Sequence, residues 1–319
     1  MTDSLPRASH ARRCLRRLAG LLALAVAACA STPPAHGTMA DPIIWDVRAN
    51  RAVTQSELLA ALAPARYRLL GEIHDNPLHH AARADLVARL AATGLRPAVV
   101  MEQFDLDHDA ALRAAQRTGA DAERLADAGA LDRKGWLWPM HKPIIDAALA
   151  AQLPIRPGNL PRNVLRGDVQ SLANDADAPW YARFHAARWS EAQAATLRAD
   201  IVESHCGKLP ESVVPRLVLA QRLRDAAMAQ ALVDDATSDG VILIAGDGHV
   251  RADLGVPVYL HAPGTPGAAA PSVSVGFVEA TAEDEQAADF PRRFTAGNPG
   301  FDYLWFTRPA PREDPCAGM

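Results

Sequence analysis

No part of this sequence offers the roughly 20 consecutive apolar residues that a membrane-crossing helix needs. The uncharged apolar stretch near the start, Leu18 to Ala28, has eleven. Basic residues are not in excess, because 33 Lys and Arg face 37 Asp and Glu. Without a basic stripe the chain is a poor nucleic-acid binder. Cysteine is scarce, with four in 319 residues. No internal repeat is evident. Aromatic residues are only 5% of the chain, yet four of the six tryptophans fall between positions 136 and 189. With 49% hydrophobic residues, the composition is that of a globular protein. The length suits one large domain with an ample core.

What is present at the start reads as an export signal. Arg7, Arg12, Arg13, Arg16 and Arg17 form a positive segment, and Leu18 to Ala28 follow without a charge. That stretch ends in Val26-Ala27-Ala28-Cys29, the small-residue pattern before a cysteine that a lipoprotein signal peptidase cuts. Residues 1–28 are therefore expected to be removed and Cys29 to carry lipid; a generic cleavable signal ending at a cysteine is the alternative. Diacylation supplies two chains, enough for stable anchoring. Ala30, rather than aspartate, after the cysteine fits sorting to an outer membrane, facing the periplasm. Residues 29–42 read as a tether. Cleavage leaves 28 basic against 36 acidic side chains, a net charge of −8. Cys206 and Cys316 are then the remaining cysteines. An oxidising envelope permits a bond between them, and two free thiols remain the alternative.

The rest alternates short apolar runs with helical spacing, which predicts an α/β fold with a mainly parallel sheet flanked by helices. Strands are expected at Tyr67–Leu70, Ala98–Met101, from Ile155, at Val241–Ala245, Val256–Leu260, Val273–Val278 and Tyr303–Phe306. Leu78 to Ala92 reads as a helix stopped by Gly94. One domain over residues 43–310 is expected, with a helical insertion at about 109–210 and a tail over 311–319. Trp136, Trp138, Trp180 and Trp189 lie in that insertion. Aromatic residues so placed fill a core more often than they wall a ligand.

In an open parallel sheet, ligands bind outside the carboxyl ends of the strands. Glu72 and His74 follow the first of these strands, Glu102 follows the second, and His249 follows Val241–Ala245. Both histidines close a Gly-x-x-His turn, Gly71-Glu72-Ile73-His74 and Gly246-Asp247-Gly248-His249, where glycine allows a tight turn and close backbone approach. Two such turns, each ending an apolar strand, predict that His74 and His249 share one site. His79 and His80 open the next helix, and either the site or a solvated face suits them. His36, His108, His185, His205 and His261 lack such placement and are expected to be structural or exposed.

Three segments, Gly71-Glu-Ile-His-Asp-Asn-Pro-Leu-His-His80, Gln221-Arg-Leu-Arg-Asp-Ala-Ala-Met-Ala229 and Ala245-Gly-Asp-Gly-His-Val-Arg-Ala-Asp-Leu-Gly-Val-Pro257, resemble the ChaN-type haem-binding uptake lipoproteins of the Tiki-like superfamily. Asp302-Tyr-Leu-Trp-Phe306 resembles that family's closing strand. The likeness spans about Tyr67 to Phe306. It implies an α/β sheet with a helical subdomain and haem acquisition at the cell envelope, with a haem receptor or a second copy of the chain as possible partners. Two positions depart from the pattern. His141 stands where a tyrosine is expected, and either side chain can ligate haem iron. Asp247 stands where asparagine is usual, adding negative charge.

Two functions follow. In the first, haem is bound without a covalent link, since no Cys-x-x-Cys-His occurs. His74, His249, His141 and Tyr303 are then the candidate iron ligands, with Glu72 and Glu102 beside them. Trp and Leu side chains would form the walls, and Arg251 or Arg224 would pair with propionates. In the second, His74, His249 and a carboxylate from Glu72 or Glu102 hold a divalent metal in a hydrolase. The other carboxylate is then the general base.

Overall fold

The computed structural model describes residues 42–281, 284, 300–314 and 316–317. The expectations placed on residues 1–41, the export signal, Cys29, His36 and most of the tether, lie outside them. Two short strands, β1 (Ile43–Asp46) and β2 (Arg51–Val53), come first and pair antiparallel. Helix α1 (Gln55–Leu62) starts at Thr54, whose side chain and Glu57 cap one another's backbone N–H groups. Strand β3 (Tyr67–Leu70) is buried throughout. Even its Arg68 is internal, and its guanidinium donates to the carbonyls of Leu62, Ala63 and Asp239, so the charge closes the end of α1.

Helix α2 (Pro77–Ala92) is capped by the Asn76 side chain with proline at its first position. Strand β4 (Ala98–Asp105) then leads through α3 (Asp109–Arg117), α4 (Ala122–Ala128) and α5 (Lys142–Ala150) to β5 (Ile155–Asn159). The chain continues through α6 (Arg162–Arg166), α7 (Val169–Ala173), α8 (Tyr181–Ala186) and α9 (Glu191–Glu203) to the long α10 (Val214–Asp235). Strand β6 (Val241–Ile244), α11 (Asp247–Val250), α12 (Val256–Leu260), β7 (Ser272–Glu279) and β8 (Tyr303–Thr307) complete the order. Among the described residues no helix is long and apolar enough to cross a membrane.

The eight strands form one sheet in the order β2-β1-β8-β7-β3-β6-β4-β5. All pairs from β8 to β5 are parallel, and only β1 runs against its neighbours. The mainly parallel α/β architecture is therefore as expected. Strand β3 lies between β7 and β6, and β6 between β3 and β4, so the strands carrying the two Gly-x-x-His turns are adjacent. One apolar layer, centred on α2 and α5, covers one face; the other face packs against α10 and α12.

Two readings change. Val256–Leu260 is helix α12 rather than a strand. A five-residue apolar run has no resolvable period, and here Gly255 precedes it and Pro257 sits at its start, which favours a helix entry. Strands β1 and β2 were not foreseen; both are short, β2 pairs with β1, and β1 pairs with β8 more than 250 positions away. The helical stretch is divided by β5, which forms the sheet edge. Cys206 and Cys316 form a disulfide.

Candidate functional site

The two Gly-x-x-His turns interlock, and their glycines explain how. A Cβ on Gly71 would collide with the Asp247 carboxylate, and one on Gly246 would lie 2.9 Å from the His74 ring. Each turn thus makes room for a side chain of the other. The Asp247 N–H donates to the Glu72 carbonyl at 2.9 Å, and the Gly246 N–H donates to Glu102 Oε2 at 2.8 Å. Three strand ends are tied together at one point: β3 through Glu72 and His74, β4 through Glu102, and β6 through Gly246.

His74 is the half-exposed member, with 49% of its side chain accessible. Its Nδ1–H donates to Glu72 Oε1 at 2.7 Å, which directs the other ring nitrogen away from that carboxylate. Trp136 stands edge-on to the ring at 5.1 Å. Both line a cleft of about 360 Å³ with Glu102, Gln103, Asn159, Arg162 and Arg224. Of the four tryptophans only Trp136 lines this cleft; Trp138, Trp180 and Trp189 pack against the cores.

His249 is different. It is buried, with Nδ1 2.6 Å from Asp225 Oδ1 and Nε2 3.2 Å from Glu102 Oε1. Burial alone would lower this imidazole, but the Glu102 and Asp225 carboxylates outweigh it and push it up to about 10. Glu102, although desolvated, is held well below the usual carboxylate range by the His249 charge. Burial pushes Asp225 up to about 6 against the same charge. His249 is therefore an imidazolium with both nitrogens engaged, and it offers no lone pair to iron or to a metal. It shares the site with His74 through Glu102, which touches His249 and lines the His74 cleft.

Behind His74, Glu72 is buried among charged neighbours. Arg83 of α2 forms an ion pair with it, and the His80 Nδ1 lies 3.2 Å from its Oε2. His80 donates from Nε2 to the His74 carbonyl at 2.9 Å. His141 lies 4.0 Å from the same Glu72 oxygen and is wholly buried outside the cleft lining. His79 accepts from the Ile73 N–H at 3.0 Å and donates to Thr307 at 2.8 Å, a structural role. Burial lowers His79 to about 4, so it stays neutral.

The other expectations sort by position. Tyr303 opens β8, with β7 between it and β3, and lies beside Asp46 and Asp302 rather than in the cleft. Arg251 is bound to Asp253 and Asp200 at 2.8 Å each, so its charge is already met. Arg224 lines the cleft and keeps a buried Nε without a partner. Asp247 accepts from the Phe277 N–H at 3.0 Å, and burial pushes it up to about 7. His108, His185, His205 and His261 bond locally or to nearby groups away from the site.

Asp225 and Arg83 were not singled out from the sequence. A signal existed for both. Gln221 and Asp225 are one helical turn apart and both reach His249. Arg83 shares the buried face of α2 with His79, Leu86 and Leu90, an unusual place for a charge.

Among solved structures, the chain is similar to ChaN of Campylobacter jejuni, described with cofacial haem binding. The TM-score is 0.65 at 20% identity, covering 85% of this chain and 98% of that one. The type III effector HopBA1 matches at TM-score 0.41 and 14% identity, over 79% of this chain and 92% of that one. An erythromycin esterase mutant, EreC in its open conformation, matches at TM-score 0.39 and 17% identity, over 81% and 80%. No curated protein matches. The family model for haem-binding uptake, Tiki superfamily, ChaN, matches residues 58–260, which hold all the turn residues described above, and the chain belongs to that family.

Proposed function

We propose that this protein binds haem non-covalently in the cleft at the ends of β3, β4 and β6, as an exported lipoprotein that serves haem uptake at the cell envelope. The observation that carries the reading is His74: a half-exposed imidazole whose Nδ1 is held by the buried Glu72, beside Trp136 at the cleft wall. A ring oriented by a carboxylate through one nitrogen offers the other to a metal centre. His74 is thus the axial ligand of this proposal. His249, His141 and Tyr303 do not take that role, for the reasons of engagement, burial and position given above. Arg224, with its unpartnered Nε, is the counter-charge for a propionate, and Arg162 lines the same cleft. Haem, when bound, supplies the iron centre; the chain supplies a ligand, an apolar wall and counter-charge.

Titrating the mature protein with haemin tests this directly. A saturable Soret band that is lost in His74→Ala supports it, and a protein that leaves the haemin spectrum unchanged refutes it. Export and lipidation are tested by Cys29→Ser, which should abolish fatty-acid labelling and release the protein from membranes. The second reading, a metal-dependent hydrolase, draws on Glu102, a low-pKa carboxylate lining the same cleft. It requires activity that chelators abolish and that Glu102→Gln lowers by about a hundredfold or more.

A further inference from the structure

Behind the cleft floor lies a second group of donors that haem would not touch. Glu72 spends Oε1 on His74, while its Oε2 faces His80 Nδ1 at 3.2 Å and His141 Nδ1 at 4.0 Å. One ligand atom from each of Glu72, His80 and His141 lies within 4.8 Å of the other two, and all three residues are buried. The His80 and His141 rings meet edge to face at 4.5 Å. In a tetrahedral zinc site with bonds of about 2.0–2.1 Å, neighbouring donors stand about 3.3 Å apart. The Glu72–His80 separation of 3.2 Å already matches, and His141, at 4.0 Å from the same Glu72 oxygen, has to move in by roughly 0.7 Å.

The hydrogen bonding leaves lone pairs turned inward. His80 donates from Nε2 to the His74 carbonyl, so its Nδ1 is an acceptor pointed at another acceptor, the Glu72 oxygen. Two acceptors in a dry interior need a cation between them. His141 has no hydrogen-bond partner on either ring nitrogen, although it is wholly buried. An unmet polar group in such a place costs about 1–3 kcal/mol.

Arg83 is the cation now beside these groups: its Nη2 contacts Glu72 and lies 3.0 Å from His80 Nδ1. The match is incomplete, since its Nε and Nη1 have no partners and His141 is left out. We infer that Glu72, His80 and His141 form a binding site for a divalent transition metal of zinc type, in which the ion takes the place of the Arg83 guanidinium between the donors. Neutral imidazole and carboxylate are the ligands that suit such an ion. The inference is independent of the haem reading, because its donors lie outside the cleft lining and Glu72 meets each group with a different oxygen.

The test uses the metal alone. Mature protein stripped with a chelator and dialysed is titrated with Zn²⁺, and with Co²⁺ as a spectroscopic substitute. One equivalent should bind, and Co²⁺ should develop the intense visible bands of a four-coordinate site. His141→Gln should weaken the metal by about a hundredfold while leaving the haemin titration as in the wild type. Arg83→Met removes the competing charge and should tighten the metal by about tenfold, a change opposite in sign to any loss of folding. Failure of the wild type to take up stoichiometric Zn²⁺, an octahedral Co²⁺ spectrum, or affinities unmoved by both variants would overturn the site. A haemin titration that fails while zinc still binds would instead sink only the haem reading.

Discussion

The two Gly-x-x-His turns use the same four-residue pattern at the ends of neighbouring strands, and they do opposite things. In the turn after β3, one buried carboxylate holds the imidazole by one nitrogen and leaves the ring half in solvent. In the turn after β6, two buried carboxylates hold both nitrogens and the ring is a fixed cation. The difference lies outside the motif, in helix α10, which brings Asp225 under one histidine and nothing comparable under the other. A motif therefore sets where an imidazole sits, and its neighbours decide whether it presents a lone pair or carries a charge.

The comparison is broken most sharply by exchanging the consequences of the two histidines. His74→Ala should abolish the Soret band, a loss of about a hundredfold or more in haemin affinity, with a melting temperature close to the parent. Asp225→Ala strands the imidazolium with one partner and should cost about 3–5 kcal/mol of folding stability, measured by urea unfolding. An Asp225→Ala protein that loses haemin binding but keeps its stability, or a His74→Ala protein that unfolds while its haemin binding is unchanged, would reverse the assignment.

Stability against pH sharpens it further. The His249 value is raised from 6.5 to about 10 in the fold, so its contribution is complete below pH 6.5 and is lost as pH rises through about 10. Melting temperature should therefore fall across the alkaline range. In His249→Gln that part of the slope should vanish, and a slope that persists would mean the charge resides elsewhere. The smallest effect on haemin binding is expected of Glu72→Gln, which also breaks the buried ion pair with Arg83. It keeps a hydrogen-bond acceptor on His74 but weakens the orientation, lowering haemin affinity by about tenfold without moving the Soret maximum.

Much of this was legible because strand ends are legible. Tyr67–Leu70 and Val241–Ala245 are continuous apolar runs that stop at a glycine, and the polar residues just beyond them fall at the carboxyl edge of a parallel sheet. Glu72, His74, Glu102 and His249 could be brought together on that ground alone. Helix-borne partners are harder, because a carboxylate on α10 reaches the site only if the helix lies at one height and rotation over the sheet. Asp225 and Arg83 were therefore not singled out, although their helix spacing carried a signal. The misreading of Val256–Leu260 has the same root: five apolar residues show burial without showing period. Strands β1 and β2 had no local signal, since β1 is held by pairing with β8 at the far end of the chain and β2 in turn by β1.

The Cys206–Cys316 bond divides the molecule in a way the strand order conceals. It closes a covalent ring across a separation of 110 positions, and Asp225, His249, β6, β7 and β8 all belong to that ring. His74, Glu72, Glu102 and His141 lie on the open chain that precedes it. The cleft is thus a junction between a loop that stays closed when the fold melts and a tethered segment that is free to unravel. A single backbone cut anywhere in the ring leaves one molecule rather than two, and the fragments separate on a denaturing gel only once a reductant is added.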